Sequence, residues 1–216
     1  RRLVQLGLER IRCGKMPEGI RALLEVSGRA APWLQSQDLG FALGPRINAA
    51  GRLANMGLGI ECLLTDEPAQ ARSLAATLDQ INRQRRQVED DMREQAEALL
   101  DQRDTSLAKP SSALCVFDPM FHEGVIGILA GRLKDRHHRP TFVFAPSHGQ
   151  PDLLKGSGRS IDGFHLRDAL DAVSKKHPHA FTQFGGHAMA AGCTLRASHL
   201  DEFEREFQAL AQAWID

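Results

Sequence analysis

Residues 113–145 read ALCVFDPMFHEGVIGILAGRLKDRHHRPTFVFA and show the clearest alternation of apolar runs and helix-forming segments in the chain. The apolar runs at residues 113–117 and 141–145 predict two buried strands, and residues 124–136 between them predict a helix. A strand, a helix and a strand in this order are typical of an α/β fold in which helices cover a sheet.

The residues that follow continue this pattern to the end of the chain. Residues 153–160 and 190–195 predict further strands, while residues 165–175 and 198–214 predict helices. We therefore expect an α/β fold with a small mixed sheet flanked by helices.

The sequence upstream of this region is mainly helical. Helices are predicted over residues 3–13, after Pro17, and from a start at residues 36–38. Residues 41–52 are too rich in Gly, Pro and Asn for an ordinary helix, yet too apolar for a solvated loop.

A long helix is predicted next to this segment. After Pro68, residues 69–103 contain neither Gly nor Pro, and their apolar residues form one stripe at helical spacing. We expect this helix to join two lobes of the protein. Two packed helices with a kink between them are the alternative.

Composition and charge narrow the function classes. The chain carries 27 Lys and Arg against 27 Asp and Glu, but residues 132–159 hold six basic residues against two acidic ones, so a polyanionic partner is compatible. No apolar run approaches the roughly 18 residues that cross a bilayer, so no membrane partner is expected. The four cysteines lack zinc-site spacing, which favours reduced thiols in a cytoplasmic protein. The start at Arg1, without a methionine, suggests an internal segment of a longer protein.

The first candidate binding segment is residues 44–52, GPRINAAGR. Its small residues allow a ligand to approach the backbone, and Arg46, Asn48 and Arg52 are suited to bind phosphate oxygens. A tight structural turn with exposed arginines is the alternative.

The second candidate segment places His122 and Glu123 directly before the helix predicted over residues 124–136. The N-terminus of a helix is a natural anion site, and His122 is suited to donate a hydrogen bond to a phosphate. The alternative is a surface position for His122 and a first-turn position for Glu123 that favours the helix dipole.

The third candidate combines residues 156–160, GSGRS, with residues 184–192, FGGHAMAAG. Ser157 and Arg159 offer a hydroxyl and a guanidinium beside bare backbone N–H groups, which is the chemistry of a terminal-phosphate pocket. His187 follows two glycines, and taken alone such a histidine is more often structural than catalytic.

Together these segments resemble the RecJ exonucleases of the DHH/DHHA1 phosphoesterase family. Residues 185–192 match the GGHxxAxG signature of the DHHA1 domain, and residues 122–127 resemble its HEGVIGI segment. Residues 44–52 and 158–160 resemble the GPRINAAGR stretch and the SGRS-like motif of RecJ proteins. All four occur in RecJ order, and the resemblance covers nearly the whole chain.

The resemblance implies a 5′-to-3′ exonuclease on single-stranded DNA that uses two divalent metals, Mn2+ or Mg2+, held in an N-terminal DHH domain. The DxDxDG-like and Asp-His-His motifs of that domain do not occur in this chain. We therefore assign no metal ligand here and expect no metal to be bound by this chain alone. Because two-metal hydrolysis needs both ions, we expect the chain by itself to be inactive.

The resemblance also implies a domain division and partners. Residues 1–67 would finish the DHH lobe, residues 68–103 would connect, and residues 108–216 would form the DHHA1 domain, with the substrate strand in the cleft between lobes. Single-stranded DNA is the expected partner, together with DNA-repair proteins, and the oligomeric state is left open.

The implied site residues fall into two groups. The implied substrate contacts are Arg46, Asn48, Arg52, Ser157 and Arg159. Among them Arg52, Ser157 and Arg159 are the main 5′-phosphate contacts. His122 and His187 are implied to face the scissile phosphate in supporting roles. The alternatives are another DHH-family enzyme, of oligoribonuclease or pyrophosphatase type, and a non-catalytic nucleic-acid-binding scaffold.

Overall fold

The computed structural model describes residues 2–104 and 111–215. The chain divides into two units, Arg1–Gln87 and Val88–Asp216, and the boundary between them falls inside one long helix. Each unit has a hydrophobic core of its own. Within the described residues, no helix is both long enough and apolar enough to cross a membrane.

The first unit is built from helices that bury Leu23, Leu34 and Leu78. Its helices are α1 (Arg2–Arg12), α2 (Glu18–Ser27), α3 (Ser36–Asp38), α4 (Gly44–Leu53), α5 (Gly57–Leu64) and the first part of α6 (Pro68–Asp104). The predicted helices at the positions of α1 and α2 are confirmed, whereas α5 was not predicted. Gly28 ends α2 at a φ of 66°, a left-handed conformation that glycine adopts without strain.

The prediction that residues 41–52 do not form an ordinary helix is wrong for most of that segment. A π-helical stretch, Leu39–Leu43, leads directly into α4. Pro45, which has no backbone N–H to donate, lies in the first turn of α4, directly after this π-helical stretch. Ala49 and Ala50 are fully buried, and their small side chains allow α4 to pack closely.

A single helix, α6, runs from Pro68 to Asp104. The prediction of one long helix is confirmed, and the alternative of two packed helices is wrong. Ala71, Ala75 and Leu78 recur three or four residues apart and are therefore buried together in the core of the first unit. The role of this helix as a connection between two domains stays a prediction.

Within residues 111–215, the second unit contains a mixed sheet of five strands in the order β1-β2-β3-β5-β4. The strands are β1 (Leu114–Phe117), β2 (Thr141–Ser147), β3 (Gln150–Arg159), β4 (Phe181–Gly186) and β5 (Ala190–Arg196). β1 and β2 are parallel, and the other neighbouring strands are antiparallel. The helices are α7 (Ile126–His137), α8 (Leu166–Lys176) and α9 (Leu200–Ile215). The predicted mixed sheet with flanking helices is confirmed.

One strand, β4, was not predicted. It lies at the edge of the sheet, its exposed residues do not alternate with buried ones, and it ends in Gly185 and Gly186. Because the signal for a half-buried strand is strict alternation, a short edge strand of this kind is not visible in the sequence.

Alternate residues of β3 lie on opposite faces of the sheet. On one face, a Cβ at Gly158 would lie 2.5 Å from the ring of Phe142, and a Cβ at Gly156 would lie 2.4 Å from the ring of Phe144. Residues of α8 and α9 share the core on this face, where Phe203 packs edge-on against Phe142 with 5.2 Å between ring centroids. The phenylalanine core therefore requires glycine at both positions and leaves the residues between them on the opposite face.

Candidate nucleic-acid interface

Ser157 and Arg159 share the face of β3 opposite the phenylalanine core, and both are half-buried. Arg159 Nη1 donates a hydrogen bond to Ser157 Oγ at 3.2 Å and another to the carbonyl oxygen of Gly158 at 2.8 Å. These bonds hold a cation and a hydroxyl side by side. A planar guanidinium placed in this way is suited to bind phosphate oxygens.

The first turn of α7 packs directly against this pair. Gly127 in that turn is so close that an added Cβ would lie 3.0 Å from Ser157 Oγ and 3.1 Å from Arg159 Nη2. The first turn contains no acidic residue, and Val125 at the N-cap provides no side-chain hydrogen bond to the helix. The positive end of a helix, a guanidinium and a hydroxyl therefore converge on one place, and each of them favours an anion.

His122 and Glu123 lie in the turn that precedes α7. The exposed ring of His122 accepts a hydrogen bond at Nδ1 from the N–H of Gly124, at 3.1 Å. In the neutral imidazole the proton is then on Nε2, which leaves that atom as a donor. The first-turn position considered for Glu123 is wrong, because α7 begins at Ile126. Glu123 Oε2 is enclosed and has no hydrogen-bond partner among the described residues.

His187 lies in the turn between β4 and β5 and is exposed. Its backbone N–H donates to the carbonyl oxygen of Ala190 at 2.8 Å. The same turn accepts a hydrogen bond from the N–H of Ser160 at 3.0 Å, through the carbonyl oxygen of Met189. Because Arg159 pairs with Ala190 across the sheet, the turn lies at the end of β3 that carries Arg159.

Arg46 is held inside the first unit. Its Nε donates to Oδ1 of Asp79 on α6 at 2.8 Å, and its Nη1 donates to the carbonyl oxygen of Ala42 at 2.7 Å. The Asp79 side chain is only 5% exposed, and it forms a second ion pair with Arg83. This arrangement gives Arg46 a structural partner, and its contact with a phosphate stays a prediction.

Asn48 and Arg52 lie on the outer side of α4, where both are exposed. They are four residues apart and therefore share one face of the helix. The first unit thus carries Arg46, Asn48 and Arg52, while the second unit carries the other four predicted site residues. That second set is Ser157, Arg159, His122 and His187.

Sequence reasoning did not single out two residues that the structure places beside this set. Gly127 was read only as part of a motif, and its closeness to β3 depends on how α7 packs. Lys155 was overlooked, although it is two residues before Ser157 and therefore on the same face of β3. The signal that identifies Lys155 is the two-residue period of the strand.

The described residues do not by themselves form a metal site. No group of three or more His, Cys, Asp or Glu side chains in residues 2–104 and 111–215 is placed to hold an ion. His122, Glu123 and His187 accordingly do not fit a Mn2+ or Mg2+ centre of their own, and no step of a reaction is assigned to a metal held by them.

Comparisons with known proteins agree on one family. Residues 111–213 match the DHHA1 domain. The single-stranded-DNA-specific exonuclease RecJ of Dickeya dadantii is 50% identical over 214 residues, which cover 99% of this chain and 37% of that protein. The RecJ of Escherichia coli is 46% identical over 210 residues, which cover 97% of this chain and 36% of that protein.

Solved structures give the same result. A crystal structure of RecJ from Thermus thermophilus in complex with Mn2+ superposes with a TM-score of 0.82 at 31% identity, covering 98% of this chain and 29% of that one. A structure of an exonuclease RecJ bound to manganese has a TM-score of 0.77 at 31% identity and covers 95% of this chain and 48% of that one. The chain spans little more than a third of the first curated relatives that it matches, 37% and 36% of their lengths.

Proposed function

The chain belongs to the RecJ family, and on that premise we propose that it is the substrate-binding part of a 5′-to-3′ exonuclease that hydrolyses single-stranded DNA. The observation that carries this proposal is the convergence of Ser157, Arg159 and the first turn of α7 on one anion-favouring place. A 5′ exonuclease must recognise a chain end, and a terminal phosphate is the group that such a place fits.

Arg159 and Ser157 are proposed to bind the 5′-phosphate. A hydrogen bond to a charged group stabilises a complex by about 1.5–3 kcal/mol. Recognition of the terminal phosphate through Arg159 therefore corresponds to roughly a tenfold to hundredfold preference over a 5′-hydroxyl end.

The two histidines are proposed to face the scissile phosphate in supporting roles. His122 has Nε2 available as a donor, since Nδ1 is occupied by the N–H of Gly124. His187 is carried by a turn that is tied to the end of β3. Neither histidine supplies the nucleophile in this proposal. Their task is to stabilise negative charge on the phosphate.

The first unit is proposed to contribute Arg52, and less strongly Asn48, as further phosphate contacts from α4. The ion pair of Arg46 with Asp79 supports a role in fixing α4 over direct contact with the substrate. Two divalent metals, Mn2+ or Mg2+, are proposed to belong to a DHH domain outside this chain. The two RecJ structures described above with manganese support this part.

We propose a division of this chain into three parts. Residues 1–67 complete a DHH lobe, residues 68–103 connect, and residues 108–216 form the DHHA1 domain, which the match at residues 111–213 supports. We propose that the protein acts in the cytoplasm, with DNA-repair proteins as partners.

The proposal is tested by binding of the 216-residue chain to single-stranded oligonucleotides with and without a 5′-phosphate, across a salt series. We expect tighter binding to the phosphorylated end, and loss of that preference in Arg159→Ala. Arg205→Ala is the matched control, because Arg205 is exposed on α9, the helix that covers the other face of the sheet. Equal binding to both ends by the unmodified chain would contradict the proposal.

A further inference from the structure

An open face of the sheet continues from Ser157 and Arg159 across β3, β5 and β4. In antiparallel neighbours, directly paired residues lie on the same face. Lys155 pairs with Thr194, which pairs with Gln183, and these three residues form one row across the strands. The next row consists of Ser157, Gly192 and Gly185.

A groove of about 340 Å³ lies over the first row and over Gly192 and Gly185 of the second. Lys155, Gln183 and Thr194 line it with polar side chains, while Gly185 and Gly192 leave its floor without any. Lys155 and Gln183 are exposed, so the groove is open to solvent.

The glycine floor of the groove is not required by the fold. A Cβ at Gly185 would meet nothing within 4 Å, and a Cβ at Gly192 would make only an ordinary contact of 3.4 Å with the carbonyl oxygen of Gly156. Neither residue has a left-handed backbone conformation. At neighbouring Gly186, by contrast, φ is 143° and a Cβ would lie 2.4 Å from the Cα of Ala191. At Gly185 and Gly192, unlike at Gly186, neither the backbone conformation nor a close contact excludes a side chain. The effect of these two glycines is therefore to leave space in the groove.

The charged side chains that β3 and β5 place on this face are all positive. Alternation places Lys155 and Arg159 on it from β3, and Arg196 from β5, whose neighbour Leu195 is fully buried on the other face. No Asp or Glu occurs among the paired residues of these strands, 153–159 of β3 and 190–196 of β5. An extended polyanion is the ligand that this distribution favours.

We propose that the groove binds the sugar–phosphate backbone of the nucleotides that follow the 5′ end of a single strand. This inference rests on the function proposed above and extends it from the terminal phosphate to the strand behind it. Lys155 lies two residues from Ser157, about 7 Å away at the rise of a β-strand, and contacts the next phosphates. The glycine floor accommodates the sugars without steric conflict.

The chemistry of the groove makes it tolerant of base sequence. Gln183 and Thr194 offer an amide and a hydroxyl to sugar and phosphate oxygens. The ring of Phe184 lies against that of Phe181, with 5.1 Å between centroids, and both pack against the phenylalanine core. Affinity on this surface therefore comes from phosphate contacts, and it depends strongly on salt.

The test compares thymidine 5′-monophosphate, which has only the terminal phosphate, with a 5′-phosphorylated oligonucleotide of about twelve thymidines, a length within the range bound by single-strand grooves. We expect the unmodified chain to bind the longer strand more tightly. Lys155→Ala and Gly185→Val should each lower affinity for the longer strand roughly three- to tenfold and leave affinity for the monophosphate unchanged. Lys155→Ala should also reduce the salt slope by about 0.7.

The controls separate this inference from the function on which it rests. Lys175→Ala removes an equal charge from α8, on the opposite face of the sheet, and should bind both ligands as the unmodified chain does. Wild-type affinity for the longer strand in Lys155→Ala and Gly185→Val, with the 5′-phosphate preference intact, would overturn the groove alone. Absence of that preference in the unmodified chain would overturn the proposed function itself. Melting temperatures of both variants show that the fold is retained.

Discussion

Gly127 is the position at which a single added carbon atom tests the phosphate-binding geometry. In Gly127→Ala the new Cβ lies 3.0 Å from Ser157 Oγ and 3.1 Å from Arg159 Nη2, closer than an ordinary contact, so both polar groups must move by a few tenths of an ångström. Both are ends of side chains that can rotate, so the fold tolerates the change. Alanine also favours the helix by up to about 1 kcal/mol over glycine.

The expected result is therefore a loss of recognition without a loss of stability. The free energy of unfolding should change by less than about 1 kcal/mol, because the steric cost and the helix propensity oppose each other. Displacement of the guanidinium and the hydroxyl should remove a charge-assisted contact of about 1.5–3 kcal/mol, which lowers affinity for a 5′-phosphorylated strand roughly tenfold to hundredfold.

Gly131 provides the matched control on the same helix. A Cβ at Gly131 meets nothing within 4 Å, so Gly131→Ala should stabilise α7 slightly and leave binding unchanged. The assay is fluorescence anisotropy with labelled oligonucleotides carrying a 5′-phosphate or a 5′-hydroxyl, beside urea denaturation of each variant. If Gly127→Ala kept the preference of the unmodified chain for the phosphate, the first turn of α7 would have no part in the site.

Three further predictions concern stability. Gly158→Ala should destabilise the second unit by about 1–3 kcal/mol in urea denaturation, because its Cβ would overlap an aromatic ring at 2.5 Å; wild-type stability would refute the packing described. Arg46→Ala should lower the free energy of unfolding by about 2–4 kcal/mol, because the Asp79 side chain is 5% exposed and its carboxylate loses a partner. A change below about 0.5 kcal/mol is the size of an ordinary surface substitution and would mean that the pair is not buried in solution. The hydrogen bond from Lys176 lowers the pKa of Glu206 below its ordinary value of 4.5. The ionised carboxylate therefore stabilises the fold at pH values above 4.5, and this contribution is lost as the pH falls through the lowered pKa. Glu206→Gln should therefore be less stable than the unmodified chain at neutral pH and match it in strong acid, whereas a difference that persists in strong acid would point to another cause.

Much of the second unit could be predicted from local pattern. The strands at residues 114–117 and 141–147 contain the apolar runs LCVF and FVFA, and such runs in the sequence correspond to buried strands. The strand β4 could not be predicted, because its exposure follows no two-residue period. The helix α4 was missed because local rules disfavour Gly and Pro in a helix. Pro45 nevertheless lies within a continuous helical segment, where the π-helical stretch Leu39–Leu43 leads into α4.

The candidate site was only partly visible in the sequence. Ser157 and Arg159 are two residues apart on one strand, so their closeness follows from strand geometry alone. The contact of Gly127 with them joins segments 30 residues apart, and it depends on how α7 packs on the sheet. The ion pair of Arg46 with Asp79 likewise spans 33 residues, which no local pattern reveals.

Single-stranded DNA is proposed to bind the face of the sheet that carries Ser157 and Arg159. Chemical-shift mapping by nuclear magnetic resonance, with the 216-residue chain and a 5′-phosphorylated thymidine oligonucleotide, tests it most directly. The backbone amides with the largest shifts should include those of Gly127, Ser157, Arg159 and Gly185, and the amides of α8 and α9 should remain unaffected. Shifts concentrated on α8 and α9, or none on β3 at saturating DNA, would contradict it.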